Sequence, residues 1–432
     1  FRSGGKVPKQ IPTVRPRIGS DSMRDRFGGW TLALSLNGFW LYLGALDVSG
    51  HSPSTPKTLA WYALVGLACL AGTWANRETL VARLRRTARP TTWFLAAGLA
   101  LGAWFLLNVV LISHTSSLSR TFAALLVLWS GPSALLALSL PRPAIAQATA
   151  AIAVLGLGYA IVEWAVFVNG HSTNERFSPI ASLDPISAAQ IPALGAVALL
   201  ALPLRGRAAL RHLAVLLLVS GSVLPGSRGP LVALVFGLVA AALLLPRRSW
   251  LPLAPAIVVG LVLGFVGASH VGSGAYLSSA LPGNPGPAGG AAGPPISTLH
   301  IRREWWATAV KAIPDDPLVG HGVAMFVDDT PEAHRMGVAG ERTYPHNSPL
   351  ESLYSLGLVG ALPYAVFILS ALVALVALVR RRGRTPAIVF GVGLWVFAFA
   401  NANISGEIGA DAVLWAAGAL AVGLYADRAE AR

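Results

Sequence analysis

Charge is what this sequence has least of. Asp, Glu, Lys and Arg make up 12% of the 432 residues, against 54% for the hydrophobic types. A soluble domain carries about twice that charged fraction. The mean hydropathy of +0.61 agrees, and a water-soluble globular chain is excluded in favour of a polytopic membrane protein. Cysteine is nearly absent too. Cys69 stands alone inside an apolar run, so no internal disulfide can form, and a core position is expected of it rather than redox chemistry. No Walker A loop, dinucleotide-binding glycine pattern or hydrolase elbow occurs, which removes the fingerprinted nucleotide-dependent and serine-hydrolase classes. Acidic residues number 19 against 33 basic ones, a net charge of +14. Where the basic residues fall decides whether that excess is a nucleic-acid footprint.

What is abundant is apolar runs. Crossing the ~30 Å hydrocarbon core takes ~20 mostly apolar residues. Twelve candidate segments lie near 30–46, 58–76, 91–112, 121–140, 144–168, 186–204, 212–226, 229–246, 251–268, 349–379, 386–404 and 411–425. With the N-terminus inside, the inner connections hold nineteen Lys and Arg counted from Met23, and the outer ones nine. Six of those nine are Arg228 or fall in or beside one long loop. The positive-inside rule therefore puts both termini in the cytoplasm. The basic excess is mostly a topology signal, and no nucleic-acid partner is expected. The break LPGSRGP, Leu224 to Pro230, ends one segment and starts the next with Pro and Gly, leaving Arg228 at the outer surface.

The chain thus divides into four parts. Residues 1–22, polar, basic and unpatterned ahead of Met23, read as an appended remnant outside the fold. Residues 23–268 carry transmembrane helices one to nine, 269–348 form an outer loop, and 349–432 carry helices ten to twelve. Within the loop, Pro282 to Pro295 has five Pro and five Gly in fourteen residues and is expected to form no core, as in a mobile lid. His300 to Ile313 reads as an amphipathic helix, with Trp305, Trp306, Ala309, Val310 and Ile313 on its apolar face and Arg302 and Arg303 at its start.

The stretch PHNSPLESLYSLGLVG, Pro345 to Gly360, joins loop to membrane. Ser348 is expected as N-cap, Pro349 as the first helical residue and Glu351 as the return arm of a capping box. A helix over 349–379 would run about 46 Å, so its first turns would stand above the lipid. Gly357 and Gly360 would share a face there and admit another helix or a ligand closely. Pro363 would kink it. His346 and Asn347 stand just before this helix. The positive end of the helix dipole favours a neutral imidazole and attracts phosphate. Arg228, Arg302 and Arg303 lie on the same predicted side. A neutral base beside guanidinium groups suits group transfer from a phosphate ester.

These residues resemble a family. HNSPLESLYSLGLVG is similar to the pattern of bacterial lipopolysaccharide O-antigen ligases, through His346, Asn347, Gly357 and Gly360. GSRGPLVAL, Gly226 to Leu234, resembles the arginine-bearing outer helix end of that ligase and polymerase superfamily. IRREWWATAVKAIPDDPLVGHG resembles its Arg-x-x-x-Trp segment, matching Arg302 with Trp306. His321 departs from the pattern and has no assigned role. The resemblance implies a membrane-embedded, C-type glycosyltransferase-like fold in the bacterial inner membrane, with a periplasmic active site. It implies an inverting, metal-independent transfer of a glycan from undecaprenyl pyrophosphate to a sugar hydroxyl of lipid A-core. His346 would be the general base, Arg228 and Arg302 would hold the pyrophosphate, with Arg303 the lesser candidate, and Asn347 would orient the imidazole or the acceptor. No cofactor and no metal are implied.

Structural readings stand beside these. A histidine before a helix is often a cap or surface residue, and Arg228 can mark the interface by snorkelling. Lys311, Arg335 and Arg342 read as solvated or lipid-facing charges. The pairs Asp315–Asp316 and Asp328–Asp329 lack a further ligand at metal spacing. Glu163, inside a span, is expected to pair with an arginine; Asp184, Glu407 and Asp411 flank outer helix ends, and His171 and His334 read as loop histidines. Rival functions are an O-antigen polymerase and a protein O-oligosaccharyltransferase, which share the donor and differ in acceptor. A transporter is disfavoured because no matching halves are seen.

Overall fold

The computed structural model describes residues 21–49, 54–85, 89–113, 117–170, 177–180, 183–203, 207–271, 273–278, 298–326, 345–380 and 385–427. These residues form helices and turns with no strand among them, as expected of an all-α polytopic membrane protein. Residues 1–20, the Pro282–Pro295 segment, Asp328, Asp329, His171, His334, Arg335 and Arg342 lie outside the described residues, while Asp21 and Ser22, expected to fall outside the fold, begin the first helix, Asp21–Asn37.

Each of the twelve expected segments is helical, but they divide by length. Six helices are long and apolar enough to cross a bilayer: Thr55–Ala75, Arg89–Leu111, Ser117–Ser139, Arg142–Val168, Arg247–Ser269 and Ser348–Arg380. A seventh results if Met23–Asn37 and Phe39–Val48, bent by 66°, make one span. The other five are Pro185–Ala201, Ala208–Val223, Arg228–Leu244, Pro386–Ala402 and Ala412–Ala426. They have 15 to 17 residues, or about 22–26 Å at 1.5 Å each, short of the ~30 Å core. The expectation of about twelve spans becomes six or seven helices of spanning length among the described residues. The apolar runs overstate the helices because Leu202 and Leu245 continue the hydropathy while their backbones are already extended.

The first expected segment is broken at Gly38. There the Asn37 amide leaves its own helix and donates to the carbonyls of Ile152 (3.4 Å) and Ile191 (3.2 Å), tying the bend to two neighbours. Those neighbours, Arg142–Val168 and Pro185–Ala201, meet backbone to backbone. A Cβ added to Gly156 would lie 2.8 Å from the Gly195 Cα, the close approach that small residues permit between membrane helices. Pro185–Ala201 and Ala412–Ala426 are buried along nearly their whole length. Arg89–Leu111 and Ala254–Ser269 instead expose Leu99, Leu107, Val110, Val258 and Val262, an outward face suited to lipid.

Two ionisable residues differ from expectation. Arg83, counted among the basic residues expected on the inner side, is also a structural tie. Its fully buried fork donates to Asp427 at 2.8 and 2.7 Å and to the Leu138 and Leu140 carbonyls. Glu163 pairs with no arginine among the described residues. Its carboxylate lies against Gly221 and has no hydrogen-bond partner among the described residues. Cys69 is buried and free, as expected.

The Ser348–Arg380 helix is not continuous. Its break is at Gly357 (φ 60°, ψ −166°) and not at Pro363. The turn after the amphipathic helix fills the gap. Leu358 and Val359 donate N–H to the carbonyls of Pro317 (2.9 Å) and Leu318 (3.1 Å), while His321 and Gly322 donate to Tyr354 (2.8 Å) and Ser355 (3.1 Å). Backbone groups freed by the break are thereby paired, which burial demands. Asn108 completes the clamp, donating to Val319 and Ser355 and accepting from the Val323 N–H. Gly357 is required here, because only glycine adopts this conformation readily and a Cβ would collide with the Leu318 and Gly320 backbone.

Candidate functional site

His346 sits at the corner just before the helix Ser348–Arg380. Its φ of 54° is left-handed, a region non-glycine residues seldom occupy, although His is among the more tolerant. Such strain persists where surrounding structure over-determines it. The surroundings are two tryptophans. The His346 ring is 5% exposed and faces Trp305 nearly in parallel, 5.7 Å between centroids and 25° between planes. Trp306 donates its Nε1–H to the Pro345 carbonyl at 3.0 Å. Both belong to Thr298–Ala312, the amphipathic helix read from the sequence. Trp305 and Ala309 are buried with Phe326 and Tyr354, whereas Val310, expected on the apolar face, is 58% exposed.

The expected capping box does not form. The cap is Asn347, whose Oδ1 accepts from the Leu350 N–H at 3.0 Å while its carbonyl accepts from Glu351 at 2.8 Å. Asn serves this position as well as Ser does, and it is one residue earlier. Ser348 is engaged elsewhere, its Oγ accepting from the Tyr364 hydroxyl at 2.9 Å. Glu351 turns inward and is buried. The second function of Asn347 is a tether: its Nδ2 donates to the Asn403 carbonyl at 3.3 Å.

That tether leads to the connection between Pro386–Ala402 and Ala412–Ala426. Its residues Ile404 and Ser405 pack on Gly229, next to Arg228, the half-buried first residue of Arg228–Leu244. One connection therefore touches both the His346 corner and the Arg228 helix start. The LPGSRGP break is as expected, with Ala208–Val223 ending before it. Arg302 is half-buried, one helical turn before Trp305 and Trp306, while Arg303 is exposed, so the helix turns Arg302 toward the packed side. Gly357 and Gly360 do not open a face to a ligand. Gly357 is filled by the 317–320 turn, and Gly360 lies against Trp104 and Leu356. His321, unassigned from the sequence, is structural: its ring stacks on Tyr354 at 4.6 Å and its Nε2 bonds the Ala312 carbonyl at 2.8 Å.

Carboxylates on this connection were read from the sequence only as helix-end flanks. Burial pushes the Glu407 carboxyl up to about 7, against the pull of the Gly409 and Ala410 N–H groups that it accepts at 2.8 and 2.6 Å. Burial also pushes Asp411 up to about 7, although it caps the next helix by accepting from the Leu414 N–H. The available signal was NISGEIGAD, a glycine-bearing stretch with two acids between two apolar helices. Among the described residues, no group of three or more His, Cys, Asp or Glu is placed to hold a metal ion; Asp315 and Asp316 are exposed.

Residues 213–365 match the family model described as O-Antigen ligase. No curated protein matches the chain.

Proposed function

We propose that this chain, whose residues 213–365 match the O-Antigen ligase family model, is a membrane glycosyltransferase that joins a lipid-linked glycan to lipid A-core. The observation that carries the reading is that the matched stretch contains Arg228, Arg302, Arg303, His346, Asn347, Gly357 and Gly360. The donor is an undecaprenyl-pyrophosphate glycan, and the reaction faces the periplasm.

A sugar hydroxyl of the acceptor attacks the anomeric carbon of the donor. The new C–O bond forms as the bond to the pyrophosphate oxygen breaks on the opposite face, so configuration inverts. His346 takes the hydroxyl proton. Arg228 and Arg302 neutralise the charge that grows on the leaving pyrophosphate, the task for which a planar bidentate donor is suited. The pyrophosphate leaving group supplies the driving force, and the mechanism calls for no metal. Asn347 sets the direction of the helix start beneath His346, and Trp305 sets the plane of its ring. Gly357 and Gly360 act as scaffold.

Reconstituted protein given undecaprenyl-pyrophosphate glycan should glycosylate lipid A-core. Product formed only with a second lipid-linked glycan, or only with a Ser/Thr peptide, would replace the ligase reading by polymerase or protein oligosaccharyltransferase. Orientation is tested by Gly290→Cys in a Cys69→Ala background. A membrane-impermeant thiol reagent should label it in intact spheroplasts, and labelling only after lysis would put His346 on the wrong side.

A further inference from the structure

A cavity of ≈ 350 Å³ opens beside the 403–411 connection, between the bend at Asn37, the start of Pro185–Ala201 and the last apolar helix. Four oxygens on its walls accept no hydrogen bond from any described residue: Asn37 Oδ1, Asn401 Oδ1, Ser405 Oγ and Asp411 Oδ2. Asn37, Asn401 and Ser405 are 2%, 5% and 8% exposed. Buried acceptors without donors are uncommon in folded proteins and call for an explanation. The orientation of Asn37 is settled by its amide nitrogen, which is already committed to the Ile152 and Ile191 carbonyls. Its oxygen is what it offers.

We infer that this cavity seats a neutral sugar ring. Three of the four acceptors come from the 401–411 stretch and the fourth, Asn37, from across the cavity, and together they need a ligand that brings several hydrogen-bond donors. The walls carry three acidic side chains, Asp184, Glu407 and Asp411, and no Lys or Arg, so they offer no cation to hold a phosphate or a uronic acid. Phe39, Tyr62 and Trp129 also line it, giving flat apolar surfaces for the C–H face of a pyranose while its hydroxyls meet the oxygens. The volume lies at the lower end of the ~300–1,000 Å³ range of small-molecule pockets. Ser405 belongs to the same connection that touches Gly229, and Asn403 bonds Asn347. The sugar site is thus coupled by covalent chain to the proposed transfer site while offering the pyrophosphate no cation. The identity of the sugar-bearing molecule, donor glycan or acceptor core, rests on the transferase reading; the binding chemistry does not.

The test is saturation-transfer NMR on detergent-purified protein with methyl glycosides of glucose, galactose and N-acetylglucosamine, each in the millimolar range, and with methyl glucuronide. At least one neutral glycoside should bind and the glucuronide should not. Asn401→Leu should weaken binding at least tenfold. Ser405→Ala, which removes one hydroxyl and little volume, should weaken it several-fold with an unchanged thermal midpoint. His346→Asn should leave binding intact. No binding by any neutral glycoside, equal binding of the glucuronide, or retained affinity in folded Ser405→Ala and Asn401→Leu would overturn the inference. Sodium binding measured by ²³Na NMR that excludes the glycosides would also overturn it, in favour of a cation site. Turnover separates the two readings. Glycoside binding without transfer to any acceptor sinks the transferase and leaves the sugar site. Transfer with unchanged KM for both substrates in Ser405→Ala sinks the sugar site and leaves the transferase. A KM raised for one substrate alone says which one supplies the ring.

Discussion

Asn347 caps the Leu350 N–H with its oxygen and, with its nitrogen, holds the carbonyl of Asn403, 56 residues further along the chain. The two bonds can be separated. Asn347→Ala removes both and should cost ~1 kcal/mol through the lost cap. Asn347→Asp keeps an oxygen for Leu350 but offers no donor to Asn403. If the tether positions the corner, Asn347→Asp should lose transfer activity as far as Asn347→Ala while its thermal midpoint stays nearer wild type. An Asn347→Asp enzyme of normal activity would reduce the residue to a helix cap.

His346→Ala should lower the single-turnover rate ~10²–10⁴-fold with donor affinity largely kept, as expected for loss of a general base. The left-handed backbone complicates that variant, because alanine at positive φ is itself destabilising. His346→Asn tolerates the conformation better and should show the same rate loss. Near-normal single turnover with weakened donor binding would make His346 a phosphate ligand instead.

Transfer should be indifferent to EDTA, and Arg228→Lys should be impaired despite keeping its charge, since a bidentate fork becomes a point charge. Initial rates with and without chelator check both. EDTA inhibition reversed by Mg²⁺ would shift the leaving-group role from the arginines to a metal.

Gly357→Ala should be among the most damaging single changes outside the chemistry. It places a Cβ against the Leu318 and Gly320 backbone and forces alanine to φ 60°. Strain of ~1–3 kcal/mol adds to overpacking of similar size. Yield of monodisperse protein and thermal midpoint should both fall. A fully stable Gly357→Ala would mean the 317–322 turn does not dock as described.

Glu407 and Asp411 give a pH dependence whose sign is fixed. Burial raises both to about 7 from 4.5 and 3.8, so the folded protein holds protons that the unfolded chain releases. Their contribution is present in full below the ordinary carboxylate values and is lost as pH rises through about 7. The thermal midpoint in detergent should decline from about pH 5 to about pH 8, and Glu407→Gln should flatten the decline. An unchanged slope in that variant would assign the dependence to other groups.

The membrane class, the all-helical fold and the LPGSRGP break were legible in one dimension. Each rests on a local property: hydropathy over a window or the backbone limits of Pro and Gly. The helix ends were less legible, because hydropathy continues past Leu202 and Leu245 where the helix has already ended. The cap was assigned to Ser348 and belongs to Asn347, since both residue types cap well and Tyr364 decides by engaging Ser348.

By itself, then, the sequence determined that the chain enters a membrane, which residue types could carry transfer chemistry, and which of them lie near one another along the chain. Only the tertiary structure decided what those residues touch. Glycines read as an open face are filled by the 317–322 turn and by Trp104. Arg302 and Arg303 are separated by which side of one helix packs. The 403–411 connection, in one dimension only a glycine-bearing stretch with two acids, joins the Asn347 corner, the Arg228 helix start and the sugar-sized cavity. The physical reason is that burial and hydrogen bonding are satisfied between segments up to hundreds of residues apart, and such pairings leave no periodic mark on either segment alone.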